Sequence, residues 1–193
     1  MKPVLHITWE YPPFVVGALS QELRGIISPL AKDVPLVLVV RAGQDGNSEQ
    51  DGIRVYLVAQ SIANSPHVLA FCHTMNIDLL RGACRAIYDS RGASVVHCHD
   101  WISALAGIYL KSNFGLPFVV SVYSTERSRN PAMNSLLSMG IFDIERHCFG
   151  YADSLVVPDS SLRADLTSGY GVDPSKIFEG ELIDLYRKLG GPV

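Results

Sequence analysis

The sequence predicts an α/β fold: a single Rossmann-like, doubly wound parallel sheet with helices on both faces. Three observations carry this reading. Apolar runs alternate with helical patterns along the chain. Those runs are apolar along their whole length, as strands covered on both faces must be. The 193 residues are 48% hydrophobic and 18% charged, enough to bury one substantial core.

The elements follow in order. Val4-Leu5-His6-Ile7-Thr8 is a first strand, stopped by Tyr11-Pro12-Pro13 because proline cannot donate to a ladder. Ser20 is placed to cap a helix over 21–31, with Leu23, Ile26, Ile27 and Leu30 on one face. Pro29 inside that pattern implies a kink or an early stop. Residues 34–40 form a second strand. Residues 42–51, rich in Gly, Asp, Asn and Gln, are expected as an exposed, mobile loop. Residues 53–58 form a third strand, 66–90 a long helix and 94–97 a fourth strand. A helix over 102–113 has Gly115 for its C-terminal cap. Residues 117–122 form a fifth strand, 131–150 are mostly helical, and 154–157 form a sixth strand. Residues 160–170 are helical, 177–178 make a short last strand, and 182–189 carry a short apolar helical face. The expected division is a domain over 1–178 and a C-terminal helical tail over 179–193.

Bulk properties exclude several functions. A net charge of -3, with no Lys/Arg cluster, argues against a dedicated nucleic-acid surface. No apolar run reaches the roughly 18 residues of a membrane span. The N-terminus is strand-like and lacks a signal-peptide layout. Cys72, Cys84, Cys98 and Cys148 are scattered without CxxC spacing, so reduced thiols and a cytoplasmic location are expected. There is no G-x-G-x-x-G, no P-loop and no G-x-S-x-G elbow.

Three stretches carry chemistry. The first is Val95-Val96-His97-Cys98-His99-Asp100-Trp101, where an apolar strand ends abruptly in titratable groups. Ligands bind at the carboxyl ends of strands in open α/β sheets, and carboxylates accept sugar hydroxyls. A strand-tip ligand site is therefore favoured. The structural alternative has Asp100 capping the next helix and the histidines satisfied in the core. A metal site is disfavoured because adjacent strand residues point to opposite faces. The second stretch runs from Trp9 to Ser20, where Gly17 enters a helix N-terminus. That is a weak phosphate signal, and an ordinary turn explains it equally. Trp9, Tyr11 and Phe14 either stack on a sugar or close the core. The third is Ser121-Val122-Tyr123-Ser124-Thr125-Glu126-Arg127, a strand end running into polar residues. There Glu126 and Arg127 either pair with each other, bind a polar ligand, or stand in a solvated loop.

These residues resemble the N-terminal domain of GT-B glycosyltransferases, in the glycogen and starch synthase-like group and the related family 4 retaining enzymes. The resemblance rests on Trp9-Glu10-Tyr11-Pro12-Pro13 with Gly17; on Val96-His97-Cys98-His99-Asp100-Trp101 followed by Ala104-Leu105-Ala106-Gly107; and on Pro117-Phe118-Val119-Val120-Ser121-Val122 with Ser124-Thr125-Glu126. It continues through Ile144-Glu145-Arg146, Ala152-Asp153-Ser154-Leu155-Val156-Val157-Pro158 and Tyr170-Gly171-Val172-Asp173-Pro174-Ser175-Lys176-Ile177. In such enzymes two Rossmann-like domains face each other across a cleft. The N-terminal one mainly binds acceptor glucan and the C-terminal one holds most of the nucleotide-sugar donor.

Carried onto this chain, the resemblance makes Asp100 and His99 the candidate catalytic residues. Trp101, Gly17, Tyr123 and Glu126 become candidate substrate-binding residues: Trp101 on the acceptor side, Gly17 by the donor phosphates, Glu126 at the cleft rim. It implies an α-glucan acceptor, with ADP-glucose or UDP-glucose bound only once a donor domain completes the cleft, on a separate C-terminal-domain chain in one reading. No metal or other cofactor is implied.

The departures from the pattern are specific. Gly17-Ala18 stands where the family has a Gly pair, and a Cβ there obstructs a phosphate if the backbone needs positive φ. Val15 and Val16 replace a lysine, and Gln21-Glu22 stand where an acid is common. Tyr123 replaces a histidine thought to contact the transferred sugar. The chain reaches Val193 without a second domain. The expectation is thus an acceptor-side domain, inactive alone. It is then one subunit of a split retaining glucosyltransferase, a non-catalytic carbohydrate-binding or regulatory module, or a truncated remnant.

Overall fold

The structure, a computed structural model, describes residues 1–62, 65 and 67–190. The chain runs β1 (Val4–Thr8), α1 (Leu19–Leu30), β2 (Leu36–Ala42), β3 (Gly46–Gln50), β4 (Ile53–Ala59), α2 (Val68–Asp89), β5 (Val95–His99), α3 (Trp101–Phe114), β6 (Phe118–Ser121), α4 (Glu126–Arg129), α5 (Leu136–Tyr151), β7 (Ser154–Val156), α6 (Ser160–Gly169), β8 (Ile177–Phe178) and α7 (Leu182–Lys188). The strands form one sheet in the order β3-β4-β2-β1-β5-β6-β7-β8. Every pairing is parallel except the antiparallel β3–β4 edge. The doubly wound α/β architecture is as the sequence predicts.

Strand order reverses at β1, which pairs with β2 on one side and β5 on the other, so that His6 lies between Leu38 and His97. A crevice opens beyond the carboxyl ends at such a switch point. The loop entering α1 and the turn into α3 both leave the sheet there.

Side chains alternate along each strand, so the two faces build separate cores. Leu5, Ile7, Val96, Cys98 and Val120 pack with Met75 and Leu79 of α2, Ala104 of α3, Phe149 of α5 and Leu166 of α6. Val4, Leu38, Val40, Val95 and Val119 pack with Leu23 and Ile27 of α1 and Leu185 and Tyr186 of α7. Leu185 and Tyr186 are fully buried. Burying an apolar side chain of this size contributes about 1.5–3 kcal/mol, so α7 is held as a covering layer of the sheet.

Three local expectations are corrected. Residues 46–50, expected inside a mobile loop, are the edge strand β3, laddered to β4. Its sequence GNSEQ lacks apolar alternation because its side chains are largely exposed. Backbone bonds to β4 hold it, and the Asp45 carboxylate accepts the Ala59 N–H at 2.8 Å and pairs with Arg81. Ser20 does not cap α1. The helix starts at Leu19 with Ala18 in the cap position, and the buried Ser20 hydroxyl donates to the Gly17 carbonyl at 3.3 Å. Pro29 lies in the last turn, where the helix ends one residue later. The helix expected over 131–150 starts only at Leu136, and the stretch before it is not all loop: Thr125 and Ser128 form a reciprocal capping box that starts α4 five residues before Pro131. The expected start of α2 at Pro66 lies outside the described residues. Gly115 caps α3 in the left-handed region (φ 65°), as expected.

Gly107 is where α3 approaches β6. A Cβ there would stand 2.1 Å from Phe118 Cε2, on a fully buried ring. Gly107→Ala is expected to destabilise the fold by about 1–3 kcal/mol, seen as a lower urea midpoint at unchanged slope. An unchanged midpoint would mean that α3 does not seat on Phe118.

Candidate active site

The loop after β1 is organised by an internal anion. Glu10 is almost fully buried, and its Oε2 accepts the Val16 N–H at 2.7 Å and the Gly17 N–H at 2.5 Å. This carboxylate holds the backbone donors that a phosphate loop would otherwise offer. Ala18 has φ -72°, so its position needs no positive φ and tolerates a Cβ. The first turn of α1 carries no side-chain cap and opens onto the crevice.

Asp100 follows β5 with φ 65° and ψ 162°, a region nearly reserved for glycine and strained by about 1–3 kcal/mol. Its N–H donates to the Ser121 carbonyl at 2.8 Å, which fixes the turn. Its Oδ1 accepts the Trp101 N–H at 2.8 Å and starts α3. Oδ2 has no hydrogen-bond partner among the described residues, and Asp100 lines the crevice. Burial raises its pKa to about 6, against the Trp101 N–H and the positive charge of Arg129, which lower it.

Tyr123 reaches the same cavity, of about 670 Å³, which Gly17, Asp100, Trp9, Glu22 and Pro158 also line. Behind it lies a buried chain of polar rings. The Tyr123 hydroxyl is 3.0 Å from His99 Nδ1, and His99 Nε2 is 2.9 Å from His6 Nδ1. His6 Nε2 is 3.3 Å from the Tyr186 hydroxyl, which is 2.6 Å from His97 Nδ1, and His97 Nε2 is 2.8 Å from Ser121 Oγ. His6, His97 and His99 are fully buried. Burial lowers the His6 pKa to about 3 and pushes His97 and His99 well below the ordinary imidazole value, with His6 and His99 adding to the effect. All three rings are neutral near pH 7. Their ring nitrogens lie within 4.8 Å of one another, a spacing a cation could use. Every one of those nitrogens already has a protein partner, however, and Cys98 faces the opposite core.

The remaining predicted site residues lie apart from the cavity. Trp101 is buried against Cys72 and Ile141. Glu126 is buried on α4, where Arg129 Nη2 approaches it at 3.3 Å and Glu145 at 2.7 Å. Arg127 pairs with Asp165 rather than with Glu126, because the i,i+3 geometry of α4 selects Arg129. The buried Glu145 accepts the Glu126 N–H and the Tyr170 hydroxyl, and burial raises its pKa.

The structure therefore gathers Gly17, Asp100 and Tyr123 at one cavity and sets His99 one hydrogen bond behind it. Glu10, His6 and Tyr186 were not among the predicted site residues. Trp9-Glu10-Tyr11-Pro12-Pro13 signalled Glu10, but His6 and Tyr186 join the site only through strand pairing and the packing of α7.

Residues 30–178 match the sequence profile of Glycosyltransferase Family 4. The chain belongs to that family. It is 28% identical over 173 residues to an uncharacterized glycosyltransferase of Methanocaldococcus jannaschii, covering 89% of this chain and 43% of that protein. It is 26% identical over 189 residues to a glycogen synthase of Mycobacterium tuberculosis, covering 87% of this chain and 45% of that one. The chain thus spans less than half the length of these relatives. Among solved structures it resembles the sucrose-phosphate synthase of Thermosynechococcus elongatus, with a TM-score of 0.69 at 15% identity over 86% of this chain and 44% of that one. The architecture is that of an N-terminal GT-B domain. No helix of this family 4 domain is long and apolar enough to cross a membrane among the described residues.

The raised Asp100 pKa has a definite sign. The folded state binds a proton more readily than the unfolded chain, so stability falls as pH rises from about 4 to about 6 and stays low above that. Asp100→Asn keeps an acceptor for Trp101 and removes the charge. It is expected to raise stability at pH 7 by about 1–2 kcal/mol and leave it unchanged near pH 4. Parallel denaturation of both proteins across this range checks it, and a variant equally destabilised at both pH values contradicts it.

Proposed function

We propose that this domain forms the acceptor-side wall of a retaining glucosyltransferase, moving glucose from a nucleotide sugar, ADP-glucose or UDP-glucose, to an α-glucan. It acts only when a donor-binding domain faces it, in the same protein or on a separate chain. The observation that carries this reading is the convergence of Asp100, Tyr123 and the open N-terminal turn of α1 on one cavity at the switch point. The free Asp100 oxygen suits a sugar hydroxyl, and a carboxylate acceptor holds it more strongly than a neutral group does. Trp9 on the same wall offers a ring for a sugar face. His99 acts through Tyr123, since both of its nitrogens are engaged.

In this reading residues 1–178 are the acceptor-side domain, and α7 packs where the family's interdomain crossover helix packs. The four cysteines are free, which suits a reducing cytoplasm. One observation favours the non-catalytic carbohydrate-binding alternative: Glu10 occupies the Val16 and Gly17 donors, so a donor phosphate must displace it.

Calorimetric titration with a maltooligosaccharide, and separately with ADP-glucose and UDP-glucose, tests the proposal. Saccharide binding is expected, weakened about tenfold or more in Asp100→Ala, as loss of a hydrogen bond to a charged group implies. Saccharide binding without nucleotide-sugar binding, even beside a donor domain, selects the binding module. No heat with any ligand from folded protein overturns both.

A further inference from the structure

The buried rings behind Tyr123 form a closed count of protons. Ser121, His97, Tyr186, His6, His99 and Tyr123 are joined in that order by five hydrogen bonds. Each neutral imidazole has one N–H and one lone pair, and each hydroxyl has one O–H. The six groups therefore hold six polar protons for five bonds, leaving one proton spare.

Two arrangements make all five bonds and leave the spare proton at an end of the chain; a third, with Tyr186 accepting from both His97 and His6, strands the Tyr186 O–H in the core without an acceptor, and its burial disfavours that one. In the first, Tyr123 donates to His99, His99 to His6, His6 to Tyr186, Tyr186 to His97 and His97 to Ser121. Every histidine then carries its proton on Nε2, and the spare proton is that of Ser121. In the second, each bond is reversed, every histidine carries its proton on Nδ1, and the spare proton is that of Tyr123. A mixture of tautomers leaves two donors or two lone pairs facing each other, or the Tyr186 O–H without an acceptor, among fully buried groups.

We propose that these six residues act as one hydrogen-bond chain with a single reversible direction. The direction of the Tyr123 hydroxyl at the cavity is then set together with the tautomers of His6, His97 and His99. In the first arrangement Tyr123 offers the cavity only a lone pair. In the second it offers an O–H. Ser121, His97, Tyr186 and His6 are then positioning residues for a group they do not all touch, and α7 takes part through Tyr186. The two ends also lie near each other, since Ser121 and Tyr123 line one adjoining cavity of about 470 Å³ between α1 and the start of α7. The functional meaning of the switch rests on the reading of Tyr123 as a ligand-facing group, but the tautomer rule does not.

The test removes each end in turn and reads the rings by long-range proton–nitrogen correlation in the 15N-labelled chain near pH 7, with no ligand. Ser121→Ala takes the partner from His97 Nε2. An unpaired buried lone pair is tolerated better than an unpaired N–H, so the chain turns toward Nδ1 protonation. Tyr123→Phe takes the partner from His99 Nδ1 and turns it toward Nε2.

All three histidines are expected to share one tautomer in each protein, and all three to reverse between the two variants. His6, which touches neither substituted residue, is the decisive ring. The same His6 tautomer in both variants, or mixed tautomers in the unsubstituted chain, overturns the proposal. With Tyr186→Phe as the single substitution, His97 Nδ1 and His6 Nε2 lose their partner, so His97 is expected to protonate at Nε2 while His6 and His99 protonate at Nδ1. Saccharide calorimetry is a separate measurement, so failure of acceptor binding leaves this result readable.

Discussion

The parallel pairing of β1 with β5 sets two chain exits side by side at one edge of the sheet, and the candidate site is built from what those exits carry. One exit leads through Glu10 and Gly17 into α1, the other through Asp100 into α3. The Asp100 N–H bond to the Ser121 carbonyl extends the arrangement to β6 and brings Tyr123 alongside. The same pairing places His6 directly opposite His97. Without that register the polar rings would have no common layer, and Asp100 and Gly17 would not share a cavity.

That constraint is maintained against local preference. A non-glycine residue at the Asp100 dihedrals is strained, and a carboxylate half-buried there costs further free energy once ionised. Capping α3 returns part of this, since the Trp101 N–H is satisfied by the same side chain. The cluster of Glu145, Arg129, Glu126 and Tyr170 beside it shows the alternative, a buried carboxylate with its partners supplied. The contrast marks Asp100 as the acid kept partly open to the cavity and Glu145 as the acid that anchors α4 and the turn before it.

The histidine face gives α7 a structural role. Among the described residues α1 and α7 cover the sheet on that side, and of the two α7 brings a hydroxyl between His6 and His97. A phenylalanine at Tyr186 would fill the same volume but leave two fully buried imidazole nitrogens without their partner. The polar content of this layer is thus bound to the presence of one helix near the C-terminal end of the described chain.

Much of this was determined by the sequence alone. Continuous apolar runs alternating with amphipathic ones specified a parallel sheet with covered faces, and Val4–Thr8 and Ile177–Phe178 fell where the runs lie. Polar residues at a strand tip marked Asp100, and the resemblance brought in Gly17 and Tyr123, because local residue type and order carry that signal. The edge strand β3 was invisible because its stability comes from the β4 ladder, which leaves no period in a polar sequence. Burial of Trp101 and Glu126, the capture of the Gly17 loop by Glu10 and the joining of His6 to His97, His99 and Tyr186 were decided only by the tertiary structure. Each depends on which strands become neighbours and which helix covers them, and partners up to 180 residues apart leave no trace in local pattern.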